Sequence, residues 1–265
     1  MKHNGHPLAE KVITMASTPG ITPFTRVDDD VFMTTVDGGV TPLNIGLVVG
    51  SRGAVLIDPG PDGGDHDALL AAVRQVTDAE LIVVNTHGHG DHIGANAYLR
   101  EHGVERILAH REAEVATATE LVGQAPVVLD LGGPEVVVEH LGRGHTDADL
   151  VVEVSREGHD GIMFCGNLVR EGTDPSFRDS HPEDWVRTLG RIWSMAGTCS
   201  RIIPGHGQPV DADFVASMRR RMEQGHTLSR QALRDAVTDA TKAIPILPYG
   251  PEESRELISR LRAGH

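Results

Sequence analysis

Short runs of apolar residues alternate along this chain with segments in which apolar positions recur at helical spacing. Runs at 31–36, 44–49 and 54–58 read as strands. The third is nearly continuous apolar up to Asp58 and stops at Pro59-Gly60, as a buried strand closed by a turn would. Leu69, Leu70, Val73 and Val76 then fall on one face of a helix over 65–76. A second buried strand at 81–85 runs straight into Thr86-His87-Gly88-His89-Gly90-Asp91-His92. Beyond it the pattern predicts a helix from Gly94 to Leu99, a strand at 106–109 and a helix over 110–121.

The second half repeats the alternation. Strands are expected at 127–129, 135–140, 150–154 and 161–165. Ser180 and Glu183 have the spacing of a capping box, with Pro182 in the first turn. The helix they open carries Trp185, Leu189, Ile192 and Trp193 and stops near Gly197, with both tryptophans expected in the core. A strand at 201–204 leads into Gly205-His206-Gly207. A long polar helix over 213–242 and a short one after Pro251 complete the chain. Residues 1–25 read as a flexible leader with solvent-exposed His3 and His6, and 26–265 as a single domain that includes the helical C-terminal segment. Alternation of this kind predicts an α/β architecture of mixed sheets covered by helices.

Composition narrows the function classes. Lys plus Arg number 24 against 38 Asp plus Glu, a net charge of −14. That balance argues against general affinity for nucleic acid or an anionic membrane. The two cysteines, Cys165 and Cys199, give no disulfide framework. The N-terminal stretch lacks the apolar run of a signal peptide, and no segment reads as a membrane span. The expectation is a cytoplasmic protein that acts on a small molecule, with no statement about its oligomeric state.

Fifteen histidines prove little by number; placement matters more. His87, His89, Asp91 and His92 lie within six residues, just after a buried strand, where α/β proteins build sites. Residues two apart in extended chain point the same way. His87 and His89 can therefore reach one ion, while Asp91 and His92 diverge toward a second as the chain turns into a helix. Imidazole and carboxylate suit zinc, and also iron or manganese. His102, His110, His140, His159 and His181 are read as structural or surface residues, and Cys165 as a buried, unreactive thiol.

The motif resembles the H-x-H-x-D-H signature of the metallo-β-lactamase superfamily. Asp58, His145 in GRGHTDADL and His206 in IIPGHG resemble further motifs of that family, in order. The resemblance spans about residues 30–210. It implies an αββα sandwich of two mixed β-sheets flanked by helices, with the site at one edge. It assigns His87, His89 and His145 to one metal and Asp91, His92 and His206 to another, with up to two zinc ions. Asp91 would orient the nucleophile and move its proton, and Asp58 would fix a ligand or its loop. Asp149 is either a support for the loop after His145 or an ordinary loop carboxylate. One position departs: the family's bridging Asp of the fourth motif is Asn167 here, which predicts a weaker second ion.

The function implied is hydrolysis of an ester, thioester or lactone bond of a small metabolite by a metal-activated hydroxide. Three alternatives stay open. One is a cyclase or thioesterase of an aromatic polyketide or other secondary-metabolite pathway, to which GNLVREGTDPSF is loosely similar. The others are a β-lactamase and a metal-depleted binding protein. A nuclease is disfavoured by length and charge, a flavodiiron protein by His89 at a position held by Glu, and a persulfide dioxygenase by Asn167.

Overall fold

The computed structural model describes residues 21–235 and 239–264. The assignments of His3 and His6 lie outside them. Two mixed sheets face each other. The first contains β1 (Thr25–Asp28), β2 (Val31–Val36), β3 (Leu43–Val49), β4 (Ala54–Ile57), β5 (Leu81–Val84), β6 (Arg106–His110) and β7 (Glu120–Val122). Strands β1 to β4 pair antiparallel, and β4 to β7 run parallel. The second contains β8 (Val127–Asp130), β9 (Glu135–Glu139), β10 (Val151–Ser155), β11 (Gly161–Arg170) and β12 (Cys199–His206). It is antiparallel from β8 to β11, and β11 runs parallel to β12.

A single register pair, His206 with Leu43, links the two sheets into one continuous strand order. Asn44 reinforces this joint by donating to the carbonyls of Pro204 and Gly207, at 2.8 and 2.9 Å. The interior between the sheets is aliphatic. Val48, Val55, Ile57 and Val84 from one side pack with Val136, Val152, Ile162 and Phe164 from the other. Gly46 is required there, because a Cβ would fall 2.4 Å from the Phe164 ring.

Helices cover both outer faces. The apolar stripe of α1 (His66–Val76) and α3 (Asn96–Glu101) packs on the first sheet through Leu69, Val73 and Leu99. α4 (Pro182–Met195), α5 (Ala212–Asp235) and α6 (Pro251–Ala263) cover the second through Trp185, Leu189, Val215, Met222 and Leu257. The four layers are those of an αββα sandwich. No helix among the described residues is long and apolar enough to cross a membrane.

Several local expectations are corrected. Residues 110–121 are not a helix: a turn and an irregular segment lead into β7. Thr119 donates its backbone N–H to Ile107 O at 2.9 Å, and Ile107 N donates to Thr119 Oγ1 at 2.8 Å. Pairing with the open edge of β6 thus outweighs the segment's helical spacing. The capping box does not form. His181 is the N-cap of α4, and Ser180 donates to Phe177 O instead, while Glu183 turns to His226 and Arg230. Trp185 is fully buried, but Trp193 is half exposed. The helix expected from Gly94 to Leu99 begins only at Asn96, as α3, with the separate short helix α2 (Gly90–Ile93) before it; α5 covers Ala212–Asp235, and Ala240–Ile246 form a 3-10 turn. β11 continues five residues past its expected end, which carries Asn167 and Arg170 onto the sheet.

Candidate metal centre

The centre sits where β4, β5, β11 and β12 end together. β4 delivers Asp58, which adopts a left-handed backbone (φ 52°). Non-glycine residues rarely do so, but Asp and Asn tolerate it best. Its carboxylate is buried and fully used. Oδ1 accepts the Thr86 N–H at 2.7 Å, and Oδ2 accepts the Thr86 hydroxyl at 2.6 Å and His92 Nδ1–H at 2.8 Å.

These bonds fix two imidazoles. With its own proton given to Asp58, Thr86 Oγ1 is left as an acceptor, 3.1 Å from His87 Nδ1. His87 therefore carries its proton on Nδ1 and presents a bare Nε2. His92 does the same directly through Asp58. Its Nε2 is buried and without a hydrogen-bond partner, and points toward Asp91 Oδ2 at 3.5 Å. Hydrogen bonds that set the tautomer in this way are how proteins prepare metal-ligating histidines.

The remaining ligand candidates arrive from separate elements. His89 ends the loop before α2, His145 lies between β9 and β10, and His206 closes β12. His145 Nε2 stands 3.2 Å from His89 Nδ1, and His206 Nε2 stands 3.2 Å from Asp91 Oδ2. Ligand atoms of His87, His89 and His145 lie within 4.8 Å of one another, and those of Asp91, His92 and His206 do likewise. The six predicted residues thus converge as two adjacent triads.

Their electrostatics suit a cation. Burial, helped by neighbouring imidazoles, pushes the pKa of His87 and His145 well below the ordinary histidine value. Both rings are thus neutral and free to donate a lone pair. Burial also works against the charge on Asp91, but the His206 hydrogen bond and the two imidazoles outweigh it and hold that carboxyl well below the usual range. For His92, burial is likewise outweighed by Asp58, which raises the pKa. The His145 and His89 ring nitrogens, facing each other at 3.2 Å, need a proton or a cation between them. With the orphaned His92 Nε2, that makes the donor set fit a pair of metal ions.

Asn167 also reaches the centre. Its Nδ2 lies 3.4 Å from His87 Nε2 and 3.5 Å from His145 Nε2, so it bears on the first triad. Asp149, buried behind His145, accepts from the N–H and hydroxyl of Thr146 at 2.8 and 3.0 Å and so holds that loop. Two residues were not singled out from the sequence. Thr86 joins Asp58 to His87. Asp179, in the segment before α4, lies 3.3 Å from His89 Nε2 through Oδ2. Only the position of Thr86 beside the motif pointed to it; no sequence signal marks Asp179. Outside the centre, the rings of His110 and His140 pack together with centroids 4.4 Å apart.

Two histidine-rich triads at the common edge of two helix-covered mixed sheets define the centre of a metallohydrolase. The model of the metallo-beta-lactamase superfamily matches residues 38–244, and the chain belongs to that superfamily and is a hydrolase. It is 29% identical over 188 residues to a metallo-beta-lactamase type 2 of Bacillus cereus, covering 66% of this chain and 70% of the relative. It is 25% identical over 231 residues to a hydroxyacylglutathione hydrolase of Methylococcus capsulatus, covering 80% and 83%. Among solved structures, a metallo-beta-lactamase from Pontibacter korlensis superposes with a TM-score of 0.64 at 20% identity, covering 76% of this chain and 98% of that one. This last likeness is one of fold.

Proposed function

We propose that this enzyme hydrolyses an ester, thioester or lactone bond of a small metabolite in the cytoplasm. The observation that carries the reading is the pair of triads with their bare nitrogens turned toward one another. His87, His89 and His145 would hold one divalent ion, and Asp91, His92 and His206 a second, with zinc the best match to this donor set. Ions held there lower the pKa of water toward neutrality and polarise a carbonyl oxygen.

The chain's own groups do the rest. Asp58 and Thr86 keep the His87 and His92 rings turned into the centre. Asp91, whose side chain is partly open to solvent, stays ionised, orients the attacking water and takes its proton. It then passes that proton to the departing oxygen or sulfur.

Arg170 favours a substrate that carries an anionic group. It pairs in register with His206, is half buried and makes no ion pair among the described residues. Its Nε donates to Thr173 Oγ1 at 2.8 Å. Burial lowers its pKa, an effect that the charges of Asp91 and Glu253 oppose. A desolvated guanidinium without a carboxylate is stabilised by a ligand that brings one. The Methylococcus capsulatus relative, whose alignment spans most of both chains, favours a thioester over a lactam.

The test is a panel of thioester, ester, lactone and β-lactam substrates offered to metal-loaded protein. Turnover of acyl bonds that disappears with chelator and returns with zinc is the expected result. Turnover of β-lactams alone would overturn the substrate class, and turnover untouched by chelation would overturn the centre.

A further inference from the structure

His206 is held from three directions, and one of them comes from outside both triads. Its backbone pairs with Leu43, and its Nε2 faces Asp91 Oδ2 at 3.2 Å. Its buried Nδ1 faces the carbonyl oxygen of Thr41 at 3.5 Å. Thr41 belongs to the turn between β2 and β3, residues 37–42, which supplies neither triad with a ligand candidate. The next carbonyl of the turn, that of Pro42, accepts the Gly207 N–H at 3.0 Å. The turn therefore holds both the ring of His206 and the backbone that follows it.

An imidazole that offers a lone pair through Nε2 carries its proton on Nδ1, and the acceptor of that proton fixes the ring. Asp58 is that acceptor for His92, and Thr86 for His87. For His206 it is a backbone carbonyl, and its seat depends on Gly38. A Cβ at that position would stand 2.4 Å from Thr41 O, 2.8 Å from Leu43 N and 2.9 Å from His206 Nδ1. All three are well inside the separation of roughly 3.5 Å at which carbon contacts are favourable, and the first two neighbours are backbone atoms that cannot swing aside. The backbone of Gly38 is not left-handed, so a side chain there would meet crowding and no φ strain. Gly39 is the reverse case: its φ is 83°, and a Cβ there would meet nothing within 4 Å.

We propose that Gly38 is a positioning residue for the Asp91/His92/His206 triad. By carrying no side chain, it lets the β2–β3 turn bring the Thr41 carbonyl onto His206 Nδ1 and so turns Nε2 toward the ion shared with Asp91 and His92. The proposal rests on the two-ion reading above and is independent of the substrate. It makes the turn a support of one ion only. The first triad draws its supports elsewhere: His87 from Thr86, His89 from Asp179, and His145 from the loop that Asp149 holds. Coupling runs in both directions, because an ion that fixes the His206 ring also fixes the carbonyl on which that ring rests.

The test is competitive chelator titration of zinc bound to the natural protein, Gly38→Ala and Gly39→Ala, the second ion being recognised as the one that His206→Ala loses. Gly38→Ala should weaken that ion by about 10–100-fold, the usual effect of removing the partner of a ligand histidine, and leave the first unchanged. Gly39→Ala should lower the thermal midpoint, because alanine is strained at a positive φ, and leave both affinities unchanged. A second ion held equally by Gly38→Ala and the natural protein overturns the proposal. Equal weakening in the two glycine variants also overturns it, since strain in the turn would then be the cause. Hydrogen exchange on the natural protein needs no variant: the amides of residues 38–41 should slow as the second ion loads, and amides insensitive to that step overturn the coupling. If the natural protein takes up a single ion, the two-ion reading fails by itself. Crystal structures of the metal-free proteins then decide the positioning: a His206 ring turned away from Thr41 in Gly38→Ala supports it, and an unmoved ring overturns it.

Discussion

The two triads are built from similar side chains but are held in opposite ways. His92 of the second triad is gripped by the buried Asp58 carboxylate at 2.8 Å, and its partner Asp91 brings a negative charge. The first triad is all imidazole. His87 reaches Asp58 only through Thr86, His89 leans on a largely exposed Asp179, and His145 Nδ1 is buried with no hydrogen-bond partner. Ligand identity and ligand anchoring are thus separate variables. The sequence expectation ranked the second ion weaker because of Asn167. The amide of Asn167, however, faces the first triad, so anchoring and charge pull the ranking in different directions.

The largest test removes a ligand outright. His87→Ala leaves two imidazoles in the first triad, and turnover should fall to background as bound metal drops. His159, exposed and grouped with Asp28 and Asp29 and with neither triad, is the control, and His159→Ala should leave turnover unchanged. Metal content and rate measured on the same samples check both.

Next come the anchors. Asp58→Asn keeps a residue that tolerates the left-handed backbone but loses the charge that serves His92 and, through Thr86, His87. A loss of about 10–100-fold in metal affinity is expected, spread over both ions. Asp179→Asn should cost less, at the lower end of that range, and should affect one ion only. Competitive chelator titration resolves the two ions. Equal losses in the two variants would show that anchoring is not what separates the triads.

Asn167→Asp sharpens the ranking. The natural protein should load its ions in sequence. A carboxylate at 167 should tighten the ion of the first triad, which this side chain faces at 3.4 and 3.5 Å, because a charge outweighs an amide dipole. Calorimetric zinc titration reads this directly. Two equally tight ions, unaltered by the substitution, would contradict it.

The smallest effect lies away from the centre. Burial lowers the pKa of His110, with His140 beside it and Arg111 also contributing, while Glu112 and Asp147 act in the other direction. The folded state thus binds fewer protons there than the unfolded chain. Its contribution to stability is present above the ordinary histidine value, about 6.5, and is lost as pH falls through that value toward the lowered one. The thermal midpoint of His110→Gln should decline less than that of the natural protein over this interval. Parallel declines would remove His110 as a cause.

The motif around His87 was legible because one strand end carries four of the six ligand candidates, and local spacing is what a sequence displays best. His145 and His206 were legible only through their resemblance to ordered family motifs; as single histidines they look like any other. Thr86 and Asp179 act through long-range contact, and nothing in their neighbourhoods announces it. The same limit explains segment 110–121. Its helical spacing is real, yet the open edge of β6 and a close approach of the Ala113 carbonyl to Gly88, where a Cβ would stand 2.3 Å away, decide its path. The predicted capping box at Ser180 failed likewise, because a buried neighbour took the hydroxyl first.

The joint at His206 and Leu43 has a consequence for how the molecule holds together. One sheet supplies His87, His89, Asp91 and His92, the other supplies His145 and His206, and they share a single register pair. An ion bound by either triad therefore bridges the seam and acts as a rivet between two half-molecules. A chain cut in the loop between β7 and β8 would yield fragments whose strongest mutual claim, besides the shared aliphatic interior, is the metal itself. Reassembly of such fragments would then answer to zinc concentration, which turns a catalytic centre into a reporter of whether the two halves are together.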